Sequence, residues 1–477
     1  MQVKLTERSK WLGEVAVVPR FAGICEDVAG GEVSLAGMKV GQEEGETTLI
    51  RAGDRQVVLV SLGEREKCVA DTFRRAGGRI TRWLGQREVA SAGIETAGLD
   101  SADLKHALPA LTEGLILGEF RFDEHKPSAK PRTAVEVELL VKRIGRSATA
   151  QVERAIHIAQ AVNLAREIAH QPPNVINPVS LAARAKKLAA QCRLKCTVLD
   201  EKQMKRLKMG GILAVGQGSD TPPRLIILEY PGRGTGKPVV LVGKAITFDT
   251  GGYSIKPKDG IVGMKYDKCG AVAVLGTMTA AAALQPKTVL VGVIAAAENM
   301  VSGGSYRPDD IITTMSGQTV EIVSADAEGR MVLCDALTYA QKKYEPRAII
   351  DLATLTGGVV VALGKQMAGL FSNNDVLRDS LIASGRRTHE RLWPLPLDDD
   401  YLEPLKGTDS DLKNSAGRDG HAVLGAMFLK QFVEPKVRWA HLDIAGVADV
   451  DKDQPYCPKG ATGFGVRLLA DYLERVR

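Results

Sequence analysis

Long hydrophobic runs are missing from this 477-residue chain. The longest, around Val289 to Ala297, has the length of a strand and falls well short of the roughly eighteen apolar residues of a membrane-spanning helix. No membrane partner is expected. Histidine is scarce, with seven scattered residues and no His-Glu-x-x-His, which argues against a histidine-built zinc site. The seven cysteines (25, 68, 192, 196, 269, 334 and 457) are odd in number and show no Cys-x-x-Cys spacing. They read as free thiols of a reducing compartment. Cys192 and Cys196, four apart, read as neighbours on one helix turn. A strong charge of one sign is also absent: 63 Lys and Arg stand against 57 Asp and Glu, and residues 1–150 hold 22 basic and 22 acidic side chains. No basic arm exists, so nucleic-acid binding is not indicated. The first residues mix acids and bases without an apolar core, so a cytoplasmic location is expected.

What is present is an ordinary globular composition, 44% hydrophobic and 25% charged. The length predicts more than one domain. In the first 130 residues, apolar runs at Val15–Pro19 and Val57–Ser61 alternate with helical patterns over Ala70–Gly85 and Ser101–Leu117. Residues 123–132, with Pro127 and Pro131, read as a loop. The apolar stripe Ile156, Ile158, Ala161, Val162 and Leu164 marks a long helix, which Pro172 and Pro173 terminate.

Beyond it, short apolar runs (Arg224–Glu229, Val239–Val242, Val289–Ala296, Val320–Val323, Ala348–Leu352, Ala440–Ile444) alternate with helical patterns. Those patterns cover Pro178–Gln191, Cys269–Leu284, Met331–Lys343, Leu377–Arg386, His421–Val433 and Val466–Arg475. This alternation predicts an α/β fold. A smaller N-terminal α/β domain (1–147) is joined by a linking helix (148–170) to a C-terminal domain (171–477) with a mostly parallel central sheet flanked by helices. Such sheets bind ligands at the carboxyl ends of their strands.

Three segments sit at those ends: Gly243–Lys256, Met264–Ala271 and Ser324–Arg330. In an extended Ser324–Arg330 loop, Asp326 and Glu328 project to one side. Two carboxylates that close repel unless a cation lies between them. Taken alone, the pair also reads as an acidic turn before a helix, Asp249 as a turn residue and Asp267 as an N-cap. Taken together, Asp249, Asp267, Asp326 and Glu328 form a hard, all-oxygen donor set of the kind that holds two Zn, Mn or Mg ions. Lys244 and Lys256 flank Asp249. One could ligate a metal as the neutral amine and the other hold a developing oxyanion; surface charge is the plain alternative for both.

These segments closely resemble the leucyl aminopeptidase (cytosol aminopeptidase) family of dinuclear metallo-exopeptidases. The family's Asn-Thr-Asp-Ala-Glu-Gly-Arg stands here as Ser324-Ala325-Asp326-Ala327-Glu328-Gly329-Arg330. Asp351–Gly357, Asn414–Arg418 and His441–Gly446 match as well, and the resemblance covers residue 150 to the end. It implies one metal held by Lys244, Asp249, Asp267 and Glu328, and another held by Asp249, Asp326 and Glu328. It implies Lys256 polarising the scissile carbonyl and Arg330 holding a bicarbonate as general base. Met264, Thr354 and Gly357 would line the side-chain pocket, Leu355 would contact substrate backbone, and Asp267 and Lys256 would also touch substrate. The implied activity is removal of N-terminal, leucine-like residues from peptides through a two-metal bridging hydroxide, with Mn or Zn, in a homohexamer whose sites face an internal cavity. The alternative carried beside it is a DNA-binding, regulatory protein of the same family.

Overall fold

The computed structural model describes every residue except 25–27, 30–32, 35–38, 53–54, 97–98, 100, 129–134, 235 and 477. Cys25 and residues 129–132 of the expected loop therefore lie outside the described residues. The chain divides into two compact units, Met1–Asn163 with Asp451–Lys459, and Leu164–Val450 with Gly460–Arg477.

The first unit is built on a six-stranded sheet. Its order is Gln2–Glu7, Glu136–Val141, Ser91–Glu95, Val15–Arg20, Arg55–Ser61 and Thr47–Ala52. All pairs are parallel except the last. Val17, Val58, Ile94 and Val137 are buried with Phe73, Ile80 and Leu111 of the helices Ala70–Gln86 and Ser101–Gly118. The predicted helix over 148–169 runs as Arg146–His170.

The second unit holds an eight-stranded sheet. Its order is Lys195–Leu199, Arg224–Tyr230, Leu290–Asn299, Val239–Asp249, Ala348–Ala353, Arg438–Asp443, Ala368–Ser372 and Leu392–Pro394. The four middle strands are mutually parallel. They are covered on both faces, which is why their sequences read as unbroken apolar runs. Along Val239–Asp249, period-two alternation sorts the side chains. Val240, Val242 and Ile246 pack with Met331 and Leu337 of the helix Glu328–Tyr344. Gly243 lies against Ala271 of the helix Cys269–Leu284 on the other face. The stretch Lys258–Leu284 is long and apolar enough to cross a membrane by composition alone, but 78% of its apolar window is buried inside the fold.

Several expectations need correction. The strand predicted at Val239–Val242 continues to Asp249, so Lys244 lies within it rather than after it. The helix predicted from Met331 starts at Glu328; Asp326 and Glu328 are thus not partners in one extended loop. An acid in the first turn suits the partial positive charge of a helix N-terminus. The predicted Val320–Val323 strand is Thr319–Glu321, in a separate three-stranded sheet with Ile311–Thr313 and Leu412–Lys413. The helix from His421 ends at Lys430. Cys192 closes the helix Pro178–Cys192, Arg193 turns left-handed (φ 55°), and Cys196 lies in the next strand, so the two thiols share no turn. The strands Ala368–Ser372 and Leu392–Pro394 went unpredicted; they are short and carry Gly369 and Pro394, residues that weaken a strand pattern.

Candidate metal centre

Lys244 shares the face of Val242 and Ile246, and alternation therefore aims it at the start of the helix Glu328–Tyr344. It is buried, and its Nζ lies 2.8 Å from Glu328 Oε1. The same Nζ donates to Asp267 Oδ1 and to the Thr354 carbonyl, each at 2.9 Å. Two glycines make this convergence possible. A Cβ at Gly270 would stand 2.1 Å from the Leu352 carbonyl oxygen, so only glycine lets the Cys269–Leu284 helix start close enough to deliver Asp267. A Cβ at Gly329 would stand 2.7 Å from Lys244 Cε and 2.8 Å from its Nζ.

The second lysine approaches from the loop beyond the strand. A register shift between Ile246 and Asp249 re-aims the strand end. Lys256 Nζ lies 2.8 Å from Asp249 Oδ2 and also donates to Asp326. The other Asp249 oxygen accepts from the Gly251 N–H and from Asn299 Nδ2, both at 2.8 Å. Thr354 Oγ1 donates to Asp267 Oδ1 at 2.6 Å, while Asp267 Oδ2 is buried with no partner among the described residues.

Asp249, Asp326 and Glu328 each offer an oxygen within 4.8 Å of the others. With Asp267, four carboxylates face two ammonium groups, an excess of two negative charges in a largely buried space. Burial pushes the Glu328 carboxyl up to about 8, against the pull of Lys244 and with the push of Asp249 and Asp267. Burial and Asp249 together hold Asp267 up near about 6, against Lys244. Burial would lower both lysines, but the surrounding carboxylates win and raise them. These directions share one cause: negative charge is concentrated where water cannot relieve it. A hard divalent cation supplies that relief, and the orphaned Asp267 oxygen gives it a further donor. The donor set fits divalent metal.

Lys244, Asp249, Lys256, Met264, Asp267, Asp326, Glu328, Arg330, Thr354, Leu355 and Gly357 all line one cavity of about 630 Å³. The structure thus brings every residue expected at the site to one cavity. Arg330 is buried; its Nη1 donates to the Asn414 carbonyl at 2.7 Å and its Nε has no partner among the described residues. Burial lowers its guanidinium to about 10, which leaves it charged at neutral pH.

Residues 163–470 match the catalytic domain of the cytosol aminopeptidase family, and residues 35–128 match that family's N-terminal domain. The chain belongs to the cytosol aminopeptidase family. By that membership it is a metal-dependent aminopeptidase and a hydrolase. Among the cytosol aminopeptidases it resembles, a probable cytosol aminopeptidase of Syntrophotalea carbinolica is 45% identical over 91% of this chain and 89% of its own length. One of Geobacter sulfurreducens is 46% identical over 90% and 86%. Two solved structures align along nearly the whole chain. The bottromycin maturation enzyme BotP in complex with Mn has a TM-score of 0.87 at 32% identity, covering 97% of this chain and 99% of its own. A mutant of tomato leucine aminopeptidase has a TM-score of 0.88 at 30% identity, covering 100% and 96%.

Three supporting residues escaped sequence reasoning. Asn299 ends a parallel strand and bonds both Asp249 and the Ala325 carbonyl. Asn414 Oδ1 accepts from the Val323 and Ser324 N–H groups at 2.8 and 3.1 Å. Asp443 is fully buried and accepts from the Leu355 N–H at 3.1 Å and from Thr356 Oγ1 at 2.6 Å. The signal available for Asn299 and Asp443 was a polar residue closing an apolar strand run; Asn414 opens one of the matching stretches, but nothing there marks its role. Ser324 and Ala325, which depart from the family's sequence, are absorbed locally. Ser324 Oγ accepts from the Asp326 N–H, and the Ala325 N–H donates to Ser254 Oγ.

Proposed function

We propose that this protein removes N-terminal residues, leucine-like ones preferentially, from peptides in the cytoplasm. The observation that carries the reading is the cavity wall itself: the Asp249, Asp326 and Glu328 oxygens within 4.8 Å of one another, with Lys244 and Lys256 set among them. Asp249 and Glu328 would bridge two ions. Lys244 and Asp267 would complete one position and Asp326 the other. Mn or Zn suits this donor set, and the Mn-bound relative favours Mn. Such a pair, when bound, activates water and polarises a carbonyl.

The remaining work falls to the chain. Lys256, kept charged by its carboxylate neighbours, holds the carbonyl oxygen as negative charge develops on it. Leu355 and Thr354 orient the substrate backbone, and Met264 and Gly357 shape the side-chain pocket. Arg330 Nε, without a partner among the described residues, suits a small anion such as bicarbonate, which would supply a general base at the site. By the same resemblance we infer a homohexamer of the 51.1 kDa chain; sedimentation would report six times that mass. The comparisons lend no support to the regulatory, DNA-binding alternative.

The test is a panel of dipeptides and leucine anilide. Prolonged chelation should abolish release of free leucine, and Mn or Zn should restore it. Full turnover by demonstrably metal-free protein would sink the reading. Acetylated leucine substrates should be very poor, because a free amine is required at the centre.

A further inference from the structure

The cavity lining draws on two groups of segments, each tied by a hydrogen bond. One is built from Met264, Tyr266 and Asp267 together with Ala445, Ala448 and Asp449; Cys269 Sγ bonds the Ala448 carbonyl at 3.9 Å and ties these two segments together. The other is built from Ser324 to Glu328 together with the segment from Ser415 to His421. Asn414 ties these two, accepting from Val323 and Ser324 and donating Nδ2 to the Ser324 carbonyl at 2.7 Å. Both groups supply the carboxylate cluster, Asp267 from the first and Asp326 and Glu328 from the second.

Every other cation on the cavity lining is engaged. Lys244 and Lys256 are ion-paired inside the cluster, and Arg330 donates to the Asn414 carbonyl and has its remaining Nε assigned to the small anion proposed above. Arg418 differs. It is exposed, it lines the cavity from a segment that contributes no carboxylate to the lining, and it makes no ion pair among the described residues. His421 beside it adds no competing charge at neutral pH, since burial and then Arg330 push its imidazole below the usual range.

If the N-terminal residue of a peptide sits against Met264, as the proposed function has it, the departing part occupies the rest of the cavity, which Arg418 also lines. In a dipeptide the free carboxylate comes one residue after the scissile bond. A guanidinium matches a carboxylate in a two-pronged geometry that no amide reproduces. We propose that Arg418 is a specificity-determining residue that recognises the free α-carboxylate of the leaving residue, making very short peptides, dipeptides above all, the favoured substrate class. The cavity of about 630 Å³ is of the size of small-ligand sites, which span roughly 300–1,000 Å³. The inference rests on the aminopeptidase reading and goes beyond it, since metal dependence and N-terminal specificity require no such contact.

The experiment compares Leu-Gly with its C-terminal amide, using the metal-loaded full chain and its Arg418→Ala and Arg418→Lys variants. The readout is the ratio of kcat/KM for acid over amide within each protein, so any general loss of activity or folding cancels. The wild-type ratio should favour the acid by roughly two- to tenfold, through KM, as expected for a partly exposed charge pair. It should shrink as salt is raised. Arg418→Ala should bring the ratio close to one, and Arg418→Lys should restore part of it. A wild-type ratio near one, or an unchanged ratio in Arg418→Ala, overturns the proposal. If neither substrate is cleaved by metal-loaded wild type, the aminopeptidase reading itself has failed, and the two failures are told apart.

Discussion

Two lysines twelve residues apart in sequence sit in the same acidic cluster, and their partners divide their proposed roles. Lys244 is locked among Asp267, Glu328 and the Thr354 carbonyl. Its ammonium is raised by those carboxylates, so a metal taking it as ligand must expel a proton. Metal affinity should therefore weaken as pH falls. Lys244→Ala should lower the content of one metal after dialysis, with part of the activity recovered in excess metal. Arginine should not replace it, because a guanidinium does not give up its proton. Lys256 is less deeply buried, and its ammonium pairs with Asp249 and Asp326. Lys256→Ala should keep near-normal metal content and lose kcat by roughly 10²–10³-fold, as for one lost oxyanion donor. Metal stoichiometry measured beside steady-state kinetics separates the two. Loss of both metals from the Lys256 variant would mean the roles are reversed.

At the scale of elements, the centre depends on how closely two helices approach one strand. Gly270→Ala would drive a methyl to 2.1 Å from the Leu352 carbonyl. The Cys269–Leu284 helix would have to shift, at a cost of about 1–3 kcal/mol or more, and would carry Asp267 with it. The expected outcome is a lower melting temperature together with lower metal affinity, both read by calorimetry with and without Mn. Loss of stability alone, with metal affinity intact, would uncouple the helix from the site.

The helix Glu328–Tyr344 holds a second titratable feature away from the centre. Buried Asp335 accepts from the Met315 N–H at 2.7 Å and the Ile212 N–H at 2.9 Å. Burial pushes its carboxyl up to about 7 despite those bonds. A carboxyl raised on folding binds its proton more tightly in the native state. Its contribution to stability is complete below its unfolded pKa, near 3.9, and is lost as pH rises through about 7. Asp335→Asn should therefore flatten the fall of stability between roughly pH 4 and 7 relative to wild type. Urea titrations across that window would show it, and parallel curves for the two proteins would rule it out.

For the whole molecule, the chain path matters. Residues 451–459 return to the first unit. Tyr456 Oη donates to Asp71 at 2.9 Å, and Gly78 lies so close to Pro455 that a Cβ there would meet its carbonyl at 2.2 Å. A chain beginning at residue 164 should thus leave 451–459 without its packing. Limited proteolysis should cut there much faster than in the full chain; equal rates would show that the segment holds its shape without the first unit.

Composition, alternation and three short segments were enough to determine much. The apolar runs at Val239, Val289, Ala348 and Ala440 are legible because central parallel strands are buried on both faces and carry no polar alternation. The side chains of the proposed centre were legible because a metal-type donor set needs several carboxylates near strand ends, whatever the packing. Local signals could not decide register and approach. That Lys244 lies inside a strand, facing Glu328 at the first position of a helix, follows from the pairing of Val239–Asp249 with its neighbours. That Asp267 reaches Lys244 follows from the contact of Gly270 with Leu352, made by residues far apart in sequence. Asn299, Asn414 and Asp443 act through bonds to distant backbone and side chains, so their roles exist only once the sheet is assembled. Sequence named the side chains proposed for the centre; tertiary structure alone decided which atoms face each other, because burial and long-range contact set both the geometry and the charge balance.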